Sequence, residues 1–173
     1  MNHDRRQFLA ACCALTLLAI CIPAGVSAGA VSRFDNAEVF VHSFLRLHFA
    51  GSREFSGTGL EKKARFLTPR FRSTMYKFLT DRAKSRSEAK SAPMVADPFT
   101  SSMGVTDYSV GKAKVRSEKA WVPVTFTDGT NRWTTTYILR NDQERGDDRW
   151  RLDDIEDVRG MLLSKIMKEY KHQ

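Results

Sequence analysis

The chain predicts an α+β fold, with N-terminal helices, a four-stranded antiparallel meander and a C-terminal helix. Three observations predict it. Apolar residues recur at helical spacing from Asn36 to about Ser87. Beyond a linker at 88–104, rich in Ser, Ala and Pro, the pattern turns to strict alternation from Tyr108 to Ile155. Helical spacing then returns from Val158 to Tyr170.

The first helix is expected over Asn36–Ala50. Asp35 would be its N-cap, with Glu38 three residues on in a capping box and Phe34 and Val39 as a staple. Phe40, Val41, Phe44, Leu45 and Leu47 form its apolar stripe, and Gly51 stops it. A short helical turn is expected at Leu60–Leu67. Thr68-Pro69 then reads as an N-cap followed by proline at the first helical position. That helix would bury Phe71, Met75, Phe78 and Leu79 and carry Arg70, Lys77 and Lys84 on its opposite, solvent face.

Strands are expected at Tyr108–Ser117, Ala120–Thr127, Arg132–Asn141 and Arg149–Ile155. Glu118-Lys119 and Asp128-Gly129 mark hairpin turns. Pro123 cannot donate to a ladder, so it predicts an edge strand or a bulge. Trp150 and Leu152 alternate on the last strand and should face the helices together. Asp157 is placed to cap the closing helix, whose apolar face is Leu162, Leu163, Ile166, Met167 and Tyr170.

Residues 1–28 read as a removable secretory signal. Arg5 and Arg6 form its positive start, Phe8–Ile22 its apolar run, and Val26-Ser27-Ala28 a small-residue cleavage site. Arg5-Arg6-Gln7-Phe8-Leu9 fits a twin-arginine signal as well as the general secretory route. Leu18-Ala19-Ile20-Cys21 has the outline of a lipoprotein box, with bulky Ile20 where a small residue belongs. Membrane contact is expected only if Cys21 is lipidated. Otherwise the protein is expected in the periplasm, as a single α+β domain over residues 31–173. Cys12, Cys13 and Cys21 all lie in the leader, so this domain has no disulfide and relies on its core.

The chain of 173 residues holds 28 basic and 20 acidic side chains, net +8. The excess is concentrated at 53–90, where eleven Lys and Arg meet four Asp and Glu. Such asymmetry bears on partners rather than on fold. Lys62, Lys63, Arg65, Arg70, Lys77 and Lys84 are therefore the candidate binding residues, for an envelope protein or another anionic surface. The competing interpretation is a solvated helix face. Nucleic acid is not expected, because no stacking aromatics interleave with these bases.

Asp97-Pro98-Phe99, Trp150-Arg151-Leu152-Asp153-Asp154-Ile155 and Leu67-Thr68-Pro69, with the leading aromatic helix, resemble a family of small exported bacterial proteins and lipoproteins of unknown function within the nuclear transport factor 2-like superfamily. The resemblance implies a curved sheet wrapped into a cone around helices, with Asp97, Phe99, Trp150, Asp153 and Asp154 at the pocket or in the family motif. It implies no particular activity.

A search for chemistry yields little. No Ser sits in a nucleophile elbow, and Ser87–Lys90 and Ser109–Lys112 lack the companion motifs of Ser-Lys enzymes. His42 and His48 point about 120° apart around their helix and cannot chelate together. Asn141–Leu152 has Gly146 at its sixth position, but Arg145 at the fifth and Leu152 at the twelfth, where a calcium loop requires carboxylates. Gly57-Thr58-Gly59 lacks the lysine of a phosphate cradle. No metal or cofactor is expected. Asp153 and Asp154, adjacent on a strand, should face opposite sides of the sheet, so that only one enters the interior. The pattern favours a non-catalytic exported binding domain that engages an envelope protein through a cone pocket or the basic helix. The alternative is an isomerase or dehydratase with one pocket carboxylate. Mass spectrometry of exported material is expected to find residues 1–28 removed; a mass that retains the apolar run would refute the leader.

Overall fold

A computed structural model describes residues 36–51, 53, 55–88, 97–141 and 149–169. They fall in one compact unit spanning 31–173. The predicted leader, Asp35 and Tyr170 lie outside the described residues. The fold is α+β: helices α1 (Ala37–Ala50), α2 (Gly57–Lys63), α3 (Pro69–Glu88) and α4 (Leu163–Glu169), with strands β1 (Asp107–Val110), β2 (Lys114–Arg116), β3 (Lys119–Asp128), β4 (Asn131–Asn141) and β5 (Trp150–Glu156). The strands form one open antiparallel sheet in the order β1-β3-β4-β5, with β2 also paired to β3.

Helix α1 starts one residue later than the sequence suggests. Asn36 is the cap, and its side-chain oxygen accepts from the Glu38 and Val39 amides. Glu38 is then free to reach the sheet, where its carboxylate accepts from Ala113 N at 2.7 Å. The expected turn at 60–67 begins earlier, as α2, and tightens into a 3-10 turn at Ala64–Phe66. Thr68 caps α3 as expected, its Oγ1 accepting from Phe71 N.

The strand expected over Tyr108–Ser117 is two strands, which makes the sheet five-stranded. Pro123 is the cause. It sits inside β3, flanked by β4 on one side and by β1 and β2 on the other. Its carbonyl accepts from Gly111 N on the β1–β2 side, the side on which its missing N–H would also point. The ladder breaks there. Gly111 fits because a Cβ at that position would meet the Pro123 ring at 3.0 Å. Proline thus marks neither an edge strand nor a bulge, but an interruption in its neighbour. The hairpin turns fall one residue from expectation: Ser117 (φ 50) turns the β2–β3 hairpin and Gly129 (φ 58) the β3–β4 hairpin.

A bulge does occur in β5. Leu139 pairs with Leu152 and Ile138 with Asp154, so Asp153 is an extra residue with no partner on β4. The closing helix is shorter than expected and begins at Leu163. Asp157 instead ties the preceding turn, accepting from the Arg159 and Met161 amides.

One face of the sheet, with Ala120, Val122, Val124, Phe126, Tyr137, Leu139 and Leu152, buries against α1 and α3. Phe44 is the centre of an aromatic cluster and packs edge-on against Phe66, Phe99 and Tyr137 at 5.2–6.1 Å between ring centres. Leu152 is fully buried, whereas Trp150 packs on the core margin and is only half-buried. Phe44→Ala is expected to cost about 3–5 kcal/mol and Trp150→Ala about 1–2 kcal/mol. Denaturant midpoints at unchanged m-value check the ranking; equal costs would place Trp150 within the core.

Candidate functional site

The first titratable cluster joins α1 to the turn that leads into the sheet. His48 lies on the inner face of α1, 1 % exposed, with its ring parallel to that of Phe44. Its Nε2 meets Asp97 Oδ2 at 2.5 Å. The contact joins the ring directly to a carboxyl 49 positions away in the chain. Asp97 also accepts from Thr100 Oγ1 at 2.9 Å and from Phe99 N at 3.0 Å. Among the described residues His48 Nδ1 has no hydrogen-bond partner.

Lys63, at the end of α2, borders this cluster. Its ammonium donates to Gly59 O and lies over the Phe99 ring at 5.8 Å. Burial lowers its pKa, the Asp97 charge acts in the opposite sense and the Lys62 charge adds to the lowering. The sequence had grouped Lys63 with surface cations. Only 4 % of it is exposed, because α2 starts at Gly57 and turns this side chain inward. It is not part of an exposed patch.

The second cluster joins α3 and α4 to the bulge in β5. Because Asp153 is the extra residue, it and Asp154 do not divide cleanly between the two faces of the sheet. Both are buried, and both lie within reach of Arg70. Asp153 accepts from Thr68 Oγ1 at 2.7 Å and from Arg70 Nε and Nη2 at 3.2 and 2.9 Å. Arg70 Nη2 also donates to the Asp153 carbonyl at 2.7 Å. Asp154 accepts from Ser164 N and Oγ at 3.0 and 2.5 Å and from Ile155 N at 3.0 Å. These bonds fasten the start of α4 to the sheet. Burial alone would raise the Asp153 pKa. Hydrogen bonds from Arg70 and Thr68, with the charges of Arg70 and Arg140, outweigh burial and leave it below the ordinary value.

This alters the basic stripe. Lys62, Arg65, Lys77 and Lys84 are exposed on α2, the 3-10 turn and α3, but Arg70 is half-exposed and bound to Asp153. Arg70 thus lies on the solvent side as the spacing predicts, but its guanidinium is also committed to Asp153 and so is part of the fold.

The clefts lined by described residues include two beside the helices. One, about 210 Å³, lies between Phe78 of α3, Pro98, Ile155 and the α4 residues Leu163, Ile166 and Met167, with Asp157 and Arg159 at its rim. The other, about 310 Å³, is lined by Leu47, Ala50, Ser56, Thr58, Lys62 and Lys63 among others. Neither is lined by His48, Asp97, Asp153 or Asp154. Both clusters thus bridge elements inside the fold. No group of three or more His, Cys, Asp or Glu suited to a metal occurs among the described residues.

Arg70→Ser is expected to destabilise by about 1–2 kcal/mol, since it strips charge-assisted hydrogen bonds from a buried carboxylate. Lys77→Ser is expected to stay within about 0.5 kcal/mol. Asp153 also sets a pH dependence. A carboxyl whose folded pKa is depressed contributes stability at pH above its unfolded value, about 3.9, and loses it as pH falls through the folded value. Denaturant titrations from pH 6 downward should show this loss below about pH 4, and Asp153→Asn should weaken that dependence. A wild-type slope retained in the variant would assign the loss to other carboxyls.

The histidine of the first cluster escaped the sequence reading because a search for metal ligands compares it with His42, whereas its partner is 49 positions away. No protein-family model, no curated protein and no solved structure matches the chain.

Proposed function

We propose that the protein is an exported, non-catalytic binding domain that engages an anionic protein partner in the cell envelope through exposed cations. One observation carries this reading: the three buried carboxylates Asp97, Asp153 and Asp154 each make three hydrogen bonds within the fold. Asp97 is held by His48, Thr100 and a backbone amide. Asp153 is held by Arg70 and Thr68, and Asp154 by Ser164 and a backbone amide. A general base needs a free lone pair aimed into a cleft, and the described clefts contain none of these three. These three carboxylates therefore lend the isomerase or dehydratase alternative no support. The finer fold assignment, a nuclear transport factor 2-like cone, and the periplasmic location belong to this same proposal. They rest on the sequence motifs and the leader.

Lys62, Lys77 and Lys84 are exposed, whereas the chemistry-bearing groups are internal, a distribution suited to contact with a surface. Exposed charges are screened beyond about 10 Å at 0.1 M salt. A tagged, exported protein is therefore expected to retain its partner at low salt and release it at high salt. The Lys62→Ser/Lys77→Ser/Lys84→Ser variant is expected to fold normally and bind more weakly. Retention indifferent to salt and to this variant would overturn the role of the helix face.

A further inference from the structure

Beyond the helical cations, the sheet carries a second basic surface. Residues directly opposite one another on antiparallel strands share a face. Arg116 of β2 lies opposite Lys119 of β3, Lys119 opposite Arg140 of β4, and Arg140 opposite Arg151 of β5. Four cations thus form one row across four strands, at strand spacings of about 4.8 Å. Arg116, Lys119 and Arg140 are exposed, and none forms an ion pair among the described residues. Arg151 donates from Nη1 to the Arg65 carbonyl and is engaged within the fold.

The next row on the same face reads Lys114, Trp121, Ile138 and, on β5, Asp154, whose carboxylate is taken up by Ser164; beyond it Pro123 lies opposite Thr136 and Thr136 opposite Glu156. Trp121, Pro123 and Ile138 are half-buried, and Lys114 is exposed. A flat apolar strip therefore adjoins a row of like charges. Such charges placed opposite one another destabilise a sheet. The β4–β5 connection, residues 142–148, lies outside the described residues.

We propose that this face is a docking site for an acidic protein surface, with Arg116, Lys119 and Arg140 meeting its carboxylates and Trp121 serving as the apolar anchor. The proposal rests on the binding-domain reading above and names the partner's chemistry. Tryptophan and arginine are the side chains that concentrate binding energy at protein interfaces, and an apolar centre beside a charged rim is their usual arrangement. Opposed potentials would also steer encounter. Single-stranded nucleic acid is a poorer fit, since it needs successive stacking rings and this face has one indole. A membrane is a poorer fit because the face has a single anchoring aromatic and no deep apolar edge.

The test is a titration of the isotope-labelled protein with a synthetic peptide of glutamates interspersed with phenylalanines. Oligothymidylate and phosphatidylglycerol vesicles serve as competing anionic probes. The peptide is expected to shift the Trp121 indole resonance and the amides of β2, β3 and β4 around the cationic row. Arg116→Ser/Lys119→Ser/Arg140→Gln and, separately, Trp121→Ser are each expected to weaken binding by about tenfold or more. Arg116→Ser/Lys119→Ser is expected to melt at or above the wild-type temperature, which shows that lost binding is not lost folding. Arg140 is left out of that control because its charge helps keep Asp153 ionised. Undiminished affinity in the row variant overturns the proposal, as does tighter binding of the oligonucleotide or the vesicles through these same residues. If only Lys62→Ser/Lys77→Ser/Lys84→Ser abolishes peptide binding, the sheet site falls and the binding-domain reading stands. If no acidic probe binds, that reading falls too.

Discussion

The Asp97 carboxylate is the contact on which the assembly of the two halves depends. The chain has no cysteine outside the predicted leader, so no covalent staple holds helices to sheet. Asp97 binds His48 of α1 through one oxygen and the Phe99 amide through the other, and Thr100 closes the turn. That turn then reaches the sheet. The Phe99 carbonyl accepts from Tyr137 Oη, the Thr100 carbonyl accepts from Trp133 Nε1, and the Phe99 ring enters the cluster around Phe44. Removing the carboxylate would leave the buried His48 ring on α1 and the Phe99 amide in the turn without this partner, a loss beside the aromatic cluster around Phe44.

The bulge at Asp153 has the same logic at the other end of the sheet. A regular strand would send Asp153 and Asp154 to opposite faces. The extra residue lets one carboxylate hold Arg70 and Thr68 at the start of α3 while the next holds Ser164 at the start of α4. Two acids that look like a catalytic prospect in the sequence thus act as anchors for two helices. Their hydrogen bonds go to the fold.

Local signals in the chain were read well, and pairings across it were not. Helical spacing, the Thr68 cap and the alternation in β3 and β4 follow from neighbouring residues, and the structure has them. The break between β1 and β2 was hidden because its cause, Pro123, lies on a different strand from its effect. The burial of Lys63 depends on where α2 begins. The bond between His48 and Asp97 joins residues 49 positions apart, and no local period encodes it. The cationic row was invisible for a related reason. Arg116, Lys119, Arg140 and Arg151 are scattered along the chain, and only strand register aligns them.

The interrupted edge has a consequence for the solubility of the chain. The segment Trp121-Val122-Pro123-Val124-Thr125-Phe126 has the aromatic and β-branched content of strands that stack into fibrils, and its proline is the one residue that spoils such a ladder. The same proline breaks the outer strand into pieces of four and three residues, with Lys112 and Lys114 exposed at the step. An incoming strand would find no straight run of free backbone groups to copy. The sheet can therefore expose an open edge in a crowded compartment without recruiting further chains onto it.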